Sequence, residues 1–324
     1  MKGFDPKFTD FPDYIIGITK EIWEDRGIET LNRYYAPDIP VRTPMGIGIG
    51  NRAVIAATMA TCHEFPDRQI YAEDVIWSGD EETGLLSSHR ITTTSTHLRD
   101  GQFGPATGRA FRVHVIADCA ARNNAIDDEW LVRDYGGIVR QLGMEPRAYA
   151  RRLIAEEGGP EAAKRPFTPD QDVPGPYRGR GNDNAWGQRY ADSLTRIMGA
   201  EFSHILTDYD RAVMGAYPGA TNVLGREAVS AFWLGLRSSF PSATFRIHHQ
   251  IGMEGGMLPP RAAIRWSLDG LHDGWGAFGR PTGAQVHVMG LSHAEFGPWG
   301  LRREWALYDE VAIWKQILMQ TGEV

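Results

Sequence analysis

Residues 107–134, TGRAFRVHVIADCAARNNAIDDEWLVRD, decide how the fold is read. Side chains on a strand repeat every two residues. Phe111, Val113 and Val115 therefore share one face of the first arm, and Arg112, His114 and Ile116 share the other. Asp128, Trp130, Val132 and Asp134 share a face of the second arm. Ala120 to Asn124 supply the turn, with Asn123 and Asn124 suited to positive φ. The segment is thus a β-hairpin. With the bend near Arg122, His114 lies opposite Trp130 and Asp128 is its next neighbour on that face. A histidine and a carboxylate on one sheet face form a candidate acid/base pair.

The stretch has a second copy. At an offset of 175 residues, Thr107-Gly108, Glu129-Trp130 and Asp134 meet Thr282-Gly283, Glu304-Trp305 and Asp309. Gly50, Phe65-Pro66, Arg90, His97 and Phe103-Gly104 also recur, at Gly225, Phe240-Pro241, Arg265, His272 and Phe278-Gly279. The 85 positions from 50 to 134 contain 18 identities without a gap. Chance gives roughly one match in fifteen at ordinary composition, so the chain contains two copies of one domain.

Helical spacing of Ile15, Ile18, Ile22 and Trp23 predicts a helix within 13–36, broken at Gly27. A short strand and Gly-rich turn follow at 41–50, then a helix over 52–64. Strands are expected at 69–78, 85–98, 110–119 and 126–134. The second copy predicts helices at 186–209 and 227–239, strands near 244–253, 261–268, 285–291 and 301–308, and a closing element at 312–319. Helices followed by long strands signal an α+β domain with helices on one face of a curved antiparallel sheet. A charged helix at 145–157 ends the first domain, 1–157. The Gly/Pro-rich stretch 158–185 reads as a linker, and 186–324 is the second, divergent domain.

At 324 residues, with 42% hydrophobic and 23% charged content, the chain has the composition of a soluble globular protein. Its net charge is −7 and no Lys/Arg block stands out, so neither nucleic acid nor an anionic membrane is an expected partner. There is no signal-like start and no run of 18 apolar residues. Two cysteines without a Cys-x-x-Cys pair fit a reducing, cytoplasmic setting.

These elements resemble the SnoaL-like polyketide cyclases of the nuclear transport factor 2 superfamily. The carrying residues are Gly50, Phe65-Pro66-Asp67, Thr107-Gly108, Trp130, Asp134 and the tail Val139-Arg140-Gln141-Leu142-Gly143. The resemblance covers about 100 residues of the first half and, more weakly, the same length of the second. It implies two tandem cone-shaped sheets, each with an apolar pocket for a small molecule. It implies chemistry without metal or cofactor, with a carboxylate and a His moving a proton beside a carbonyl. Asp128 would be the base and His114 its partner. Relatives include isomerases, dehydratases, hydrolases and plain binding proteins, so a non-catalytic small-molecule binder is the alternative. Such domains pair through their sheets, which implies an internal pseudo-dimer within a monomer or homodimer.

Trp130, His97, Arg90, Asp118, Trp266, His287 and Arg303 are the further pocket candidates. His97 and Arg90 recur as His272 and Arg265, which argues for a shared structural role at least as much as a site. Asp118 shares the His114 face, yet no third ligand has diagnostic spacing, so no metal is assigned. In the second copy Met289 replaces His114 and Arg303 replaces Asp128. Arg303 suits an anionic ligand or a partner in Glu304 or Glu310, and Arg42 either binds a substrate carboxylate or is a plain surface residue.

Overall fold

A computed structural model describes residues 1–80 and 82–323. The first unit opens with α1 (Phe11–Thr19), a π-helical turn (Lys20–Glu24), a 3-10 turn (Ile28–Thr30) and α2 (Leu31–Tyr34). Next come β1 (Pro40–Thr43), β2 (Gly46–Ile49), α3 (Asn51–Glu64), β3 (Gln69–Asp80), β4 (Gly84–Thr96), β5 (Ala110–Arg122) and β6 (Ala125–Arg133). Helices α4 (Tyr135–Gln141) and α5 (Pro146–Glu156) follow. The second unit has α6 (Ala185–Met198), α7 (His204–Asp208), β7 (Tyr209–Tyr217), β8 (Thr221–Leu224), α8 (Arg226–Ser239), β9 (Thr244–Gly255), β10 (Leu258–Leu271), β11 (Gln285–Gly297), β12 (Gly300–Leu307) and α9 (Glu310–Thr321).

The two sheets have the same order, β2-β1-β6-β5-β4-β3 and β8-β7-β12-β11-β10-β9. The expected α+β class and tandem sheets are present. Each sheet contains one parallel pair, β1 with β6 and β7 with β12, where a wholly antiparallel sheet was expected. The expected short strand at 41–50 is β1, and the Gly-rich turn after it holds β2, whose four residues carry too little alternation to register. Strands β7 and β8 fall in 210–226, to which the sequence assigned no element, apart from Tyr209, which was placed at the end of a helix.

Recurring residues explain themselves locally. Gly50 and Gly225 both have φ near +90°, +87° and +90°, just before α3 and α8, a conformation only glycine adopts cheaply. Gln141 and Gln316 each bond both backbone groups of one strand residue, Arg112 and His287, pinning a helix to the sheet. Asp134 and Asp309 cap α4 and α9. Asp134 also accepts from the amides of Gly219 and Ala220 in the other unit.

The sheets pack face to face. Ile116, Val132, Met289, Leu291 and Leu307 form one buried cluster between them, and Ile76, Leu86, Ala120, Ile251 and Ala263 another. The contact is reciprocal. Arg90 stacks on Trp305 and Arg265 stacks on Trp130, each at 3.5 Å from guanidinium carbon to ring centre. Arg265 pairs with Asp118 at 3.2 Å, while Arg90 meets His293 at 3.0 Å. Two of the repeat's identities, Arg90/Arg265 and Trp130/Trp305, thus interlock across this face, where stacking supplements apolar burial. The opposite face of each sheet curls around its own helices.

Candidate active site

On β5 and β6, successive residues alternate between the inter-sheet face and the interior of the first cone. The turn centres on Asn123 and Asn124, with φ of 47° and 67°. A β-bulge between Ala120 and Ala121 then shifts the register by one, so Ala120 sits opposite Asp128 and Asp118 opposite Trp130. The expected pairing of His114 with Trp130 shifts accordingly, and His114 faces Thr92 instead.

The cone interior holds a deep chamber lined by Ile15, Trp23, Ile91, Val115, Ala117 and Leu131 with Tyr35, Arg68, His89, Glu129 and Arg133. It opens past Tyr35, Glu129 and Arg133 into a cavity of about 650 Å³ walled by Thr43, Ala57 and Thr58. Linker residues Lys164, Arg165 and Gln171 line its mouth. That volume accommodates a small organic ligand.

Glu129 is the carboxylate at the junction. Burial in apolar walls pushes it up to about 7, against a hydrogen bond from Tyr35 and the charge of Arg133. Its Oε2 is buried and has no hydrogen-bond partner. Tyr35 is buried, which together with Glu129 holds its hydroxyl protonated. His89 is pushed down to about 4 by burial, so its imidazole is neutral, and Nδ1 meets Ser87 Oγ at 3.2 Å. The chamber thus offers one carboxyl titrating near neutrality, a phenol and a neutral imidazole, the groups that general acid–base catalysis uses.

Residues 14–142 match the family model of the SnoaL-like polyketide cyclases. The first unit is a SnoaL-like domain. That family suggests a cyclase-type function. Similar solved structures include IdmH from Streptomyces antibioticus, 24% identical over 41% of this chain and 98% of that one, with a TM-score of 0.36. TsrD from Streptomyces laurentii is 20% identical over 40% and 95%, with a TM-score of 0.35. A SnoaL-like polyketide cyclase from Agrobacterium tumefaciens is 19% identical over 41% and 98%, with a TM-score of 0.30. No curated protein matches the chain. No described helix is long and apolar enough to cross a membrane.

Within this SnoaL-like domain the sequence-derived candidates lie outside the cone. Asp128 is buried at the sheet interface, 2.5 Å from Arg42 Nη1, and accepts from the Tyr177 amide of the linker. Arg42 is 1% exposed and is held also by Asp172 and the Val173 carbonyl, so it is no surface residue. His114 meets Thr92 at 3.1 Å and Glu73 at 3.4 Å on that same outer face. Asp118, Arg90 and Trp130 belong to the interlock. His97 bonds Thr107 and its counterpart His272 bonds Thr282, shaping the same loop in both units. Among the described residues no group of three or more His, Cys, Asp or Glu could hold a metal ion.

In the second unit Trp266 fills the cone and donates to Ser292. His287 lies on the outer face, bonded to Asp269 and edge-on to Phe167. Arg303 is exposed and its partner is Glu295 at 3.7 Å, not Glu304 or Glu310.

Glu129, His89, Tyr35, Arg68 and Arg133 were missed. A signal for Glu129 existed. It shares its parity with Leu131, and pairs with Cys119 on the face carrying Val113 and Val115. Asp128, one residue out of phase, lies on the other face.

Proposed function

We propose that the first unit is a cofactor-free acid/base enzyme of the cyclase or isomerase type, acting on a carbonyl-containing small molecule, with Glu129 as its proton-transfer group. The observation that carries this reading is the unpartnered Glu129 oxygen at the cavity junction, in surroundings that raise its proton affinity to near neutrality. In the proposed step Glu129 Oε2 takes the proton from the carbon beside the carbonyl, and the C–H electron pair becomes the enolate. The enolate carbon closes on a second carbonyl. The new alkoxide then takes the proton back from Glu129, which regenerates the carboxylate. Tyr35 orients Glu129, and the neutral His89 is placed to hydrogen-bond the substrate oxygen.

This reading moves the carboxylate/His chemistry from Asp128 and His114 to Glu129 and His89. It treats 1–157, 158–185 and 186–324 as catalytic domain, tether and partner domain, joined as an internal pseudo-dimer. A cytoplasmic location and a small-molecule rather than nucleic-acid partner belong to the same proposal. Turnover of panels of β-keto and polyketide-like carbonyl compounds tests it. Glu129→Gln abolishing turnover while Asp128→Asn retains it supports the assignment. The reverse outcome returns the chemistry to Asp128. Ligand binding with no turnover by wild type on any panel member favours the alternative of a binding protein.

A further inference from the structure

We propose that Arg68 and Arg133 form a carboxylate seat within the first cone, so that the ligand is an organic acid with an apolar body. This inference rests on the reading of that cone as the functional cavity. Arg68 follows α3 and reaches inward, its Nε donating to Thr93 Oγ1 at 3.0 Å. Its Nη1 is buried and has no hydrogen-bond partner. Arg133 ends β6 on the same interior face as Glu129. Both residues line the deep chamber, and both line the adjoining space toward Phe103 and Phe111, where Glu64 accepts from the Gln102 and Phe103 amides. Among the described residues neither has an ion-pair partner.

Two cations facing one small chamber, with Glu129 in ion-pair contact with neither among the described residues, repel each other and are poorly solvated. Arg68 shows the effect: burial and the charge of Arg133 lower it to about 10. A planar oxyanion between them relieves both costs, because a guanidinium fork matches a carboxylate bidentately. Glu129 is the one acidic residue lining the deep chamber and the larger cavity, against Arg68, Arg133, Lys164 and Arg165. The basic mouth favours entry of an anion. The second unit has Ala243 and Tyr308 where the first has Arg68 and Arg133, and its cone is filled. The arginine pair therefore accompanies the open cone and is absent from the closed one.

Calorimetric titration of the full chain with 2-naphthoate and its neutral isostere 2-naphthamide tests the seat. Wild type is expected to prefer the acid by tenfold or more, and acetate is expected to compete. Arg133→Met and Arg68→Met should each erase that preference while leaving the amide unchanged, and Arg133→Lys should retain part of it. Should Arg68→Met fail to fold, the Arg133 pair of variants decides alone. Equal affinity for acid and amide, parallel weakening of both probes, no binding of either probe, or displacement by inorganic phosphate more readily than by acetate overturns the proposal. Glu129→Gln should keep the acid preference while losing turnover, so failure of the seat and failure of the catalytic assignment are read separately.

Discussion

Glu129 and Glu304 occupy the same position of two equivalent sheets and have opposite surroundings. Glu304 is fully buried and accepts four hydrogen bonds, from Tyr190, Tyr209, Tyr217 and Trp233. Glu129 keeps Tyr35, the register counterpart of Tyr209, and leaves one oxygen without a partner. The walls differ in step. Where the first cone has Thr43, Ala57, Thr58 and Ile91, the second has Tyr217, Phe232, Trp233 and Trp266. Those rings pack on one another, Tyr217 on Phe232 at 3.6 Å and Trp233 edge-on to Trp266 at 6.1 Å. A buried carboxylate surrounded by donors is a structural tie, whereas one facing a cavity with spare acceptor capacity can exchange a proton. One fold thus supports either outcome, and wall volume selects between them.

The comparison can be broken in five ways. The largest effect is expected from Glu129→Gln, which should lower turnover by about 10²–10⁴ if the group transfers the proton. Steady-state rates on an accepted substrate check this, with a melting curve to confirm the fold. Next, Trp233→Ala should hollow out the second cone and cost about 3–5 kcal/mol in denaturant unfolding. The converse change, Thr58→Trp, should close the first cone and abolish ligand binding by calorimetry.

Glu304→Gln is expected to cost less, about 1–3 kcal/mol, because four donors then face a weaker acceptor. The sign with pH follows from its raised folded-state pKa, caused by burial. The native state holds the Glu304 proton more tightly than the unfolded chain. The residue's contribution is complete below the unfolded carboxyl range and declines as pH rises toward the folded value. The difference between wild type and Glu304→Gln should therefore shrink from pH 4 upward in parallel urea titrations. Smallest is the shift in the rate profile. Activity that requires ionised Glu129 should rise with pH toward a limb near 7, well above an ordinary glutamate at about 4.3. A limb at the ordinary value would place the reacting carboxylate elsewhere.

Much of this molecule was legible from residues alone. The duplication, the α+β class and most long strands follow from identities at a fixed offset and from alternation. The turn expected over Ala120–Asn124 shrinks to Asn123-Asn124, the two residues suited to positive φ, and the register moves because the bend lies between them and a β-bulge follows at Ala120-Ala121. The face assignment failed for a physical reason. A sheet with one solvated side sorts polar from apolar by parity. Here the second sheet covers the outer side, so Ile116, Asp118 and Trp130 are packed there beside charged residues that mimic a polar pocket. Glu129 recurs as Glu304, and recurrence argued for a framework role. Sequence identity could not reveal that the same residue is tied in one copy and free in the other. That depends on residues such as Trp233, which bonds Glu304, and Thr58, which leaves space in the cavity beside Glu129, and both meet it only after folding.

A single tether between two equivalent halves cannot treat both alike. Residues 158–185 run past Arg42 and Asp128 and place Lys164, Arg165 and Gln171 at the rim of the first cone. Two like halves thus share one tether, and its side chains stand at the mouth of the first cone. In this chain the collared cone is the open one, and its neighbour's interior is packed with rings.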